Sequence, residues 1–110
     1  MGEREFVTLL DEIEGTARIR NRIRTVRGGL ADGLAQLELL WDDEWRAVTR
    51  YDCAHGFFHK DELFPDGTSV KTRMEFATVA EFLECGRKDI LERWRWYCDR
   101  YVRRMPRGVR

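Results

Sequence analysis

The chain has 110 residues, 43% apolar and 12% aromatic, and its 20 basic and 20 acidic residues cancel to zero net charge. That length suits one domain, residues 1–110, with its own core, and the apolar share excludes a disordered chain. Three cysteines without a CxxC pair argue against a disulfide framework, and no apolar run reads as a signal peptide or a membrane span, so a cytoplasmic protein without membrane contact is expected.

The charge is laid out in blocks. Residues 1–14 hold five acids against Arg4, residues 15–27 hold five arginines and no acid, and residues 87–110 hold nine bases against three acids. Separate positive and negative faces let a neutral protein meet an anionic partner.

In chain order, REFVTLLDEI alternates apolar and polar side chains as far as Gly15 and reads as a strand. ARIRNRIRTVR is the clearest strand. Arg18, Arg20, Arg22 and Arg24 take one face; Ala17, Ile19, Asn21, Ile23 and Thr25 take the other. A helix would scatter those arginines around its circumference. RGGLADG, with three glycines in seven residues, is expected to be a loop. LAQLELLW and WRAVTRYD flank the acidic turn DDE, and FFHKDEL and SVKTRM flank FPDGT, where Pro65 and Gly67 suit a tight hairpin. Tight turns join antiparallel neighbours, so five to six strands within residues 5–74 should form an antiparallel sheet.

At Thr78 the period changes. Thr78 with Glu81 matches a capping box, and Val79, Phe82, Leu83, Gly86, Ile90, Trp94, Tyr97, Tyr101 and Met105 follow at helical spacing. A helix over about residues 79–104 is predicted, ended by Pro106 and packed on one sheet face, with Gly86 at a close approach. The fold class is α+β. Cys85 and Cys98, on or beside the apolar stripe, are assigned to the core.

YDCAHGFFHKD holds both histidines. With CAHG as a four-residue connection, His55 sits at a turn. His59 and Asp61 share a face with Phe57 and Leu63, while Lys60 points the other way. Tyr51 and Asp52 close the other side of the turn. Three chemistries could use this group. In acid–base cleavage of a phosphodiester, His55 and His59 would exchange protons, Asp52 and Asp61 would orient them, and Arg50 and Lys60 would hold the phosphate. Cys53, His55, His59 and Asp61 are also competent metal ligands, although their spacing matches no standard zinc pattern. The third reading is structural, a turn locked by hydrogen bonds.

The row Arg18, Arg20, Arg22 and Arg24 could follow a phosphate backbone, or pair with acids such as Glu38 and Asp11 on a solvated face. On the helix, Trp96 falls well off the apolar stripe, beside Arg93, Arg100 and Arg103. That grouping suits base stacking or a protein interface, a homodimer included.

VTRYDCAHGFFHKDELFPDGTSVKT, residues 48–72, resembles an uncharacterised family of small prokaryotic proteins with an RYD-x-AHGF-x-H-x-D segment and a PDG turn. The resemblance continues into KDILERWRWYCDRYVRR. More remotely, the segment is similar to the TumE-like toxins of toxin–antitoxin pairs, and that similarity implies roles for Tyr51, Asp52, Gly56 and His59. Lys60 and Asp61 stand where those toxins carry a second histidine. A toxin-type protein acting on RNA or another nucleic acid, as a metal-independent ribonuclease in the first case, without a cofactor and with an antitoxin or another protein as partner, is the leading expectation. The competing one is a non-enzymatic interaction module with a structural HGFFH turn.

Overall fold

A computed structural model describes residues 2–54 and 56–106. His55 lies outside the described residues. Six strands follow one another: β1 (Gly2–Leu9), β2 (Ala17–Val26), β3 (Gly29–Trp41), β4 (Glu44–Ala54), β5 (Phe57–Leu63) and β6 (Ser69–Met74). They form one antiparallel sheet in the order β1-β2-β3-β4-β5-β6, and the helix α1 (Val79–Arg103) follows. The α+β architecture expected from the periodicity is the one adopted. Among the described residues no helix is long and apolar enough to cross a membrane.

Strand alternation decides which side is covered. Ala17, Ile19 and Asn21 of β2 are buried with Ala35, Leu37 and Leu39 of β3 and Tyr51 and Cys53 of β4, and register aligns them on one face. Phe82, Leu83, Gly86, Ile90, Tyr97, Cys98 and Tyr101 supply the opposing stripe of α1. The helix lies over β3 and β4 and only touches β2, so the other face of the sheet is uncovered. Cys98 is buried as expected, and burial pushes its thiol up to about 12. Cys85 is only half-buried.

Two turns are tighter than the sequence suggests. RGGLADG is not a loop: β3 begins at Gly29, and the turn is Arg27–Gly28 with φ of 54° and 81°. A two-residue hairpin of the type that matches strand twist needs both central residues in the left-handed region, which Gly28 adopts without cost. The later glycine, Gly33, is a strand residue within β3, and glycine is needed there because a Cβ would sit 2.7 Å from Leu83 Cδ1. Likewise β4 runs to Ala54 and β5 starts at Phe57, so Cys53 and Ala54 of CAHG are strand residues. DDE and FPDGT turn as expected; in the second, Phe64 N–H donates to Thr68 O and Gly67 N–H to Phe64 O. At the helix start, Glu81 N–H donates to Thr78 Oγ1 at 3.1 Å.

Gly86 marks the closest approach of helix to sheet. A Cβ there would lie 2.5 Å from Tyr51 Cγ, in a ring that is itself buried. Gly86→Ala should gain about 1 kcal/mol of helix propensity and lose about 2–3 kcal/mol to overpacking. A net loss of about 1–2 kcal/mol in urea unfolding is the expected result, and a gain in stability would contradict this packing.

Candidate functional site

The β4–β5 hairpin puts the predicted residues on both faces of the sheet. On the uncovered face, Asp52 is opposite His59 and His59 is opposite Arg73; one step further along, Arg50 is opposite Asp61 and Asp61 is opposite Lys71. Directly paired residues of an antiparallel sheet share a face, so these six side chains make a two-by-three array of two carboxylates, three cations and one imidazole. The Phe57 ring stacks against the His59 ring with centroids 6.3 Å apart, and the Arg73 guanidinium lies 5.2 Å from the Phe57 centroid.

Three atoms in this array are buried without a hydrogen-bond partner: Asp52 Oδ1, His59 Nδ1 and Asp61 Oδ1. Asp61 is only 5% exposed. Lys71 Nζ stands 3.3 Å from Asp61 Oδ1, a charge contact outside hydrogen-bond geometry. Buried polar atoms are normally paired, so three orphans together are a feature that fold stability does not account for.

The arginine row beside them is mostly engaged with acids. Arg18 Nε meets Glu38 Oε1 at 2.7 Å, Arg20 Nε lies 2.6 Å from Glu5 Oε1, and Arg24 Nε meets Asp32 Oδ2 at 2.8 Å. Glu38 also accepts from Gln36 Nε2, whose Oε1 accepts from Arg50 Nε, both at 2.6 Å. The row is ion-paired, with Glu38 among the acids as expected, but Glu38 itself is buried rather than solvated. Asp11 instead organises its own loop, accepting from the Ile13 and Glu14 amides and from Thr16 Oγ1. The backbone bond from Glu14 leads the effects that hold its carboxyl below the usual range. Among the described residues Arg22 has no ion-pair partner, and Arg50 Nε donates to the neutral Gln36 amide.

Tyr51 and Lys60 do not join this array. Both face α1, on the other side of the backbone from His59. Tyr51 Oη and Tyr97 Oη each donate to Asp89 Oδ2 at 2.5 Å, Lys60 Nζ donates to Tyr97 Oη at 2.7 Å, and Arg93 Nη1 stands 3.4 Å from Asp89 Oδ1. Burial, and then the Asp89 carboxylate, push both tyrosine hydroxyls up. Burial also opposes the Asp89 charge. The hydrogen bonds from Tyr51 and Tyr97 and the charges of Lys60 and Arg93 together outweigh it and hold Asp89 below the carboxylate norm. The expectation that Tyr51 and Lys60 serve the histidine group is corrected: they bind helix to sheet.

Strand alternation also splits the metal-ligand alternative. Cys53 is buried against α1, with its thiol pushed up chiefly by burial, whereas His59 and Asp61 face away. Among the described residues no group of three or more potential ligands is placed to hold a metal.

On the helix, Trp96 is 48% exposed and flanked by the guanidiniums of Arg93 and Arg100, 4.6 and 4.5 Å from its centroid. Arg100 is anchored to Glu62 at 2.9 Å. Arg103 borders a cleft with Trp94 and Asp99.

Residues 1–106 match a family model described as a domain of unknown function, DUF7718. The chain belongs to this family. No curated protein and no solved structure matches it.

In this DUF7718 chain, sequence reasoning missed Asp89, Tyr97, Arg73 and Lys71 as functional or network residues. The last two were within reach, because the FPDGT turn fixes which β6 residues oppose His59 and Asp61. Asp89 was harder to see. Its only signal is a carboxylate beside the apolar stripe, one turn from Gly86 and one from Arg93.

Proposed function

We propose that this protein acts on RNA by acid–base chemistry at the uncovered face of its sheet, as a cytoplasmic toxin of a toxin–antitoxin pair does. His59 is the described proton-transfer group, Asp52 and Asp61 place their charges beside it without bonding its Nδ1, and His55 is the expected second imidazole. One imidazole takes the proton of a ribose 2′-hydroxyl. The 2′-oxygen bonds to phosphorus, the bond from phosphorus to the 5′-oxygen breaks, and the other imidazole delivers a proton to the leaving oxygen. The products are a 2′,3′-cyclic phosphate and a 5′-hydroxyl, and the step needs no cofactor.

The observation that carries this reading is the grouping of His59 with Asp52, Asp61, Arg50 and Arg73 on one uncovered face of the sheet. Of the positions marked by the similarity to TumE-like toxins, Tyr51, Asp52, Gly56 and His59, the pair Asp52 and His59 lies on this face and Tyr51 on the other. A flat sheet face suits an extended polymer better than a small molecule.

With Arg18, Arg20 and Arg24 engaged by acids, phosphate contact falls to Arg22, Arg50 and Arg73. About three contacts on a single strand give a slope of about −2 for log affinity against log salt. Fluorescence anisotropy of a labelled single-stranded RNA measures it. A salt-independent signal would remove RNA as the ligand.

A second reading, an interaction module for an antitoxin, another protein or a second copy, draws on the half-exposed Trp96 among Arg93 and Arg100. Partner binding kept by His59→Ala but lost with Trp96→Ala would select it.

A further inference from the structure

Because α1 lies over β3 and β4 and only touches β2, a cavity of about 250 Å³ is left between its first turns and strands β1–β3. Phe6, Ile23, Leu30 and Leu83 make much of its wall. Asn21 and Arg87 also line it, and among the described residues the buried Asn21 Nδ2 and Arg87 Nε have no hydrogen-bond partner. Asn21 is only 3% exposed. An amide and a guanidinium held at an apolar wall without acceptors are costly to leave unpaired, and their placement is that of a binding site with an apolar body and a polar end.

We infer that this cavity binds a small monocarboxylate with an apolar tail or ring, its two oxygens accepting from Asn21 Nδ2 and Arg87 Nε. Two donors, one of them cationic, select an anionic acceptor, and a carboxylate presents two oxygens to them. A dianionic phosphate would find one cation and meet Glu84, which lines the same cavity. The volume holds about eight groups of water size, which is the size of hexanoate or benzoate. The site is on the helix side of the sheet, away from His59, and stands independently of the RNA reading.

The test is a titration of the full chain with hexanoate and benzoate, followed by amide NMR. Hexan-1-ol serves as the control that lacks the charge. At least one acid should bind below about 1 mM and shift the Asn21 side-chain amide, and hexan-1-ol should bind about tenfold more weakly or worse. Arg87→Gln and Asn21→Ala should each weaken the acid about tenfold. Arg87 is on the partly exposed side of the helix, so its variant decides the matter if Asn21→Ala fails to fold. No shift up to about 10 mM acid, equal binding of acid and alcohol, or unchanged affinity in Arg87→Gln would each overturn the assignment.

Discussion

Asp89→Ala is expected to lower the unfolding free energy by about 3 kcal/mol, more than any other single helix substitution away from the apolar stripe. The carboxylate accepts from two tyrosine hydroxyls and faces Lys60 and Arg93, with its side chain 17% exposed. Removing it leaves Lys60, Tyr51 and Tyr97 without their shared partner, and breaking a buried charged network costs about 3–5 kcal/mol when water is excluded. Partial exposure places the value at the lower end. Urea unfolding measures it as a drop in midpoint at constant slope, and an unchanged midpoint would show that the network holds nothing together.

The pH dependence of that difference has a fixed sign. Asp89 is held below the carboxylate norm, so its stabilisation is present above about pH 4 and lost as pH falls through the folded value. Tyr51 and Tyr97 are raised, so theirs is full below about pH 10 and lost as pH climbs beyond it. The gap between wild type and Asp89→Ala should be flat from about pH 5 to 9 and narrow on both sides.

His59→Ala should reduce RNA cleavage by about 10²–10⁴-fold, the usual share of a general acid or base. Stability should change by less than about 1 kcal/mol, because the imidazole is half-buried and its Nδ1 has no partner to lose. Arg73→Ala, across the strand from His59, should instead raise KM with kcat little changed, as expected of a phosphate-binding group. A His59→Ala protein with wild-type cleavage would transfer the chemistry elsewhere.

The α+β fold was legible because its faces are written in simple periods. The alternation of β2 and the three- and four-residue steps of α1 each leave one solution. The glycines of RGGLADG misled because the residue type does not reveal which demand it answers. Gly28 answers a turn, while Gly33 answers a neighbouring leucine that only the helix docking reveals. For the site, alternation within β5 correctly set His59 and Asp61 on one side and Lys60 on the other. Tyr51 was misplaced, since a residue next to Asp52 in sequence is across the sheet from it in space. The partners of the arginines lie 15 or more positions away for Arg18 and Arg20, at Glu38 and Glu5. Glu38 was among the acids expected to pair with the row, whereas the Arg20–Glu5 pair becomes visible only once register is known.

The central claim, that the face around His59 transfers protons at a ribose, is tested most directly with an oligodeoxynucleotide carrying a single ribonucleotide. Purified protein should cut it once, after the ribonucleotide, leaving a 2′,3′-cyclic phosphate detected by mass spectrometry, and His59→Ala should leave it whole. An intact oligonucleotide with the wild-type protein, or the same products from His59→Ala, would contradict the account.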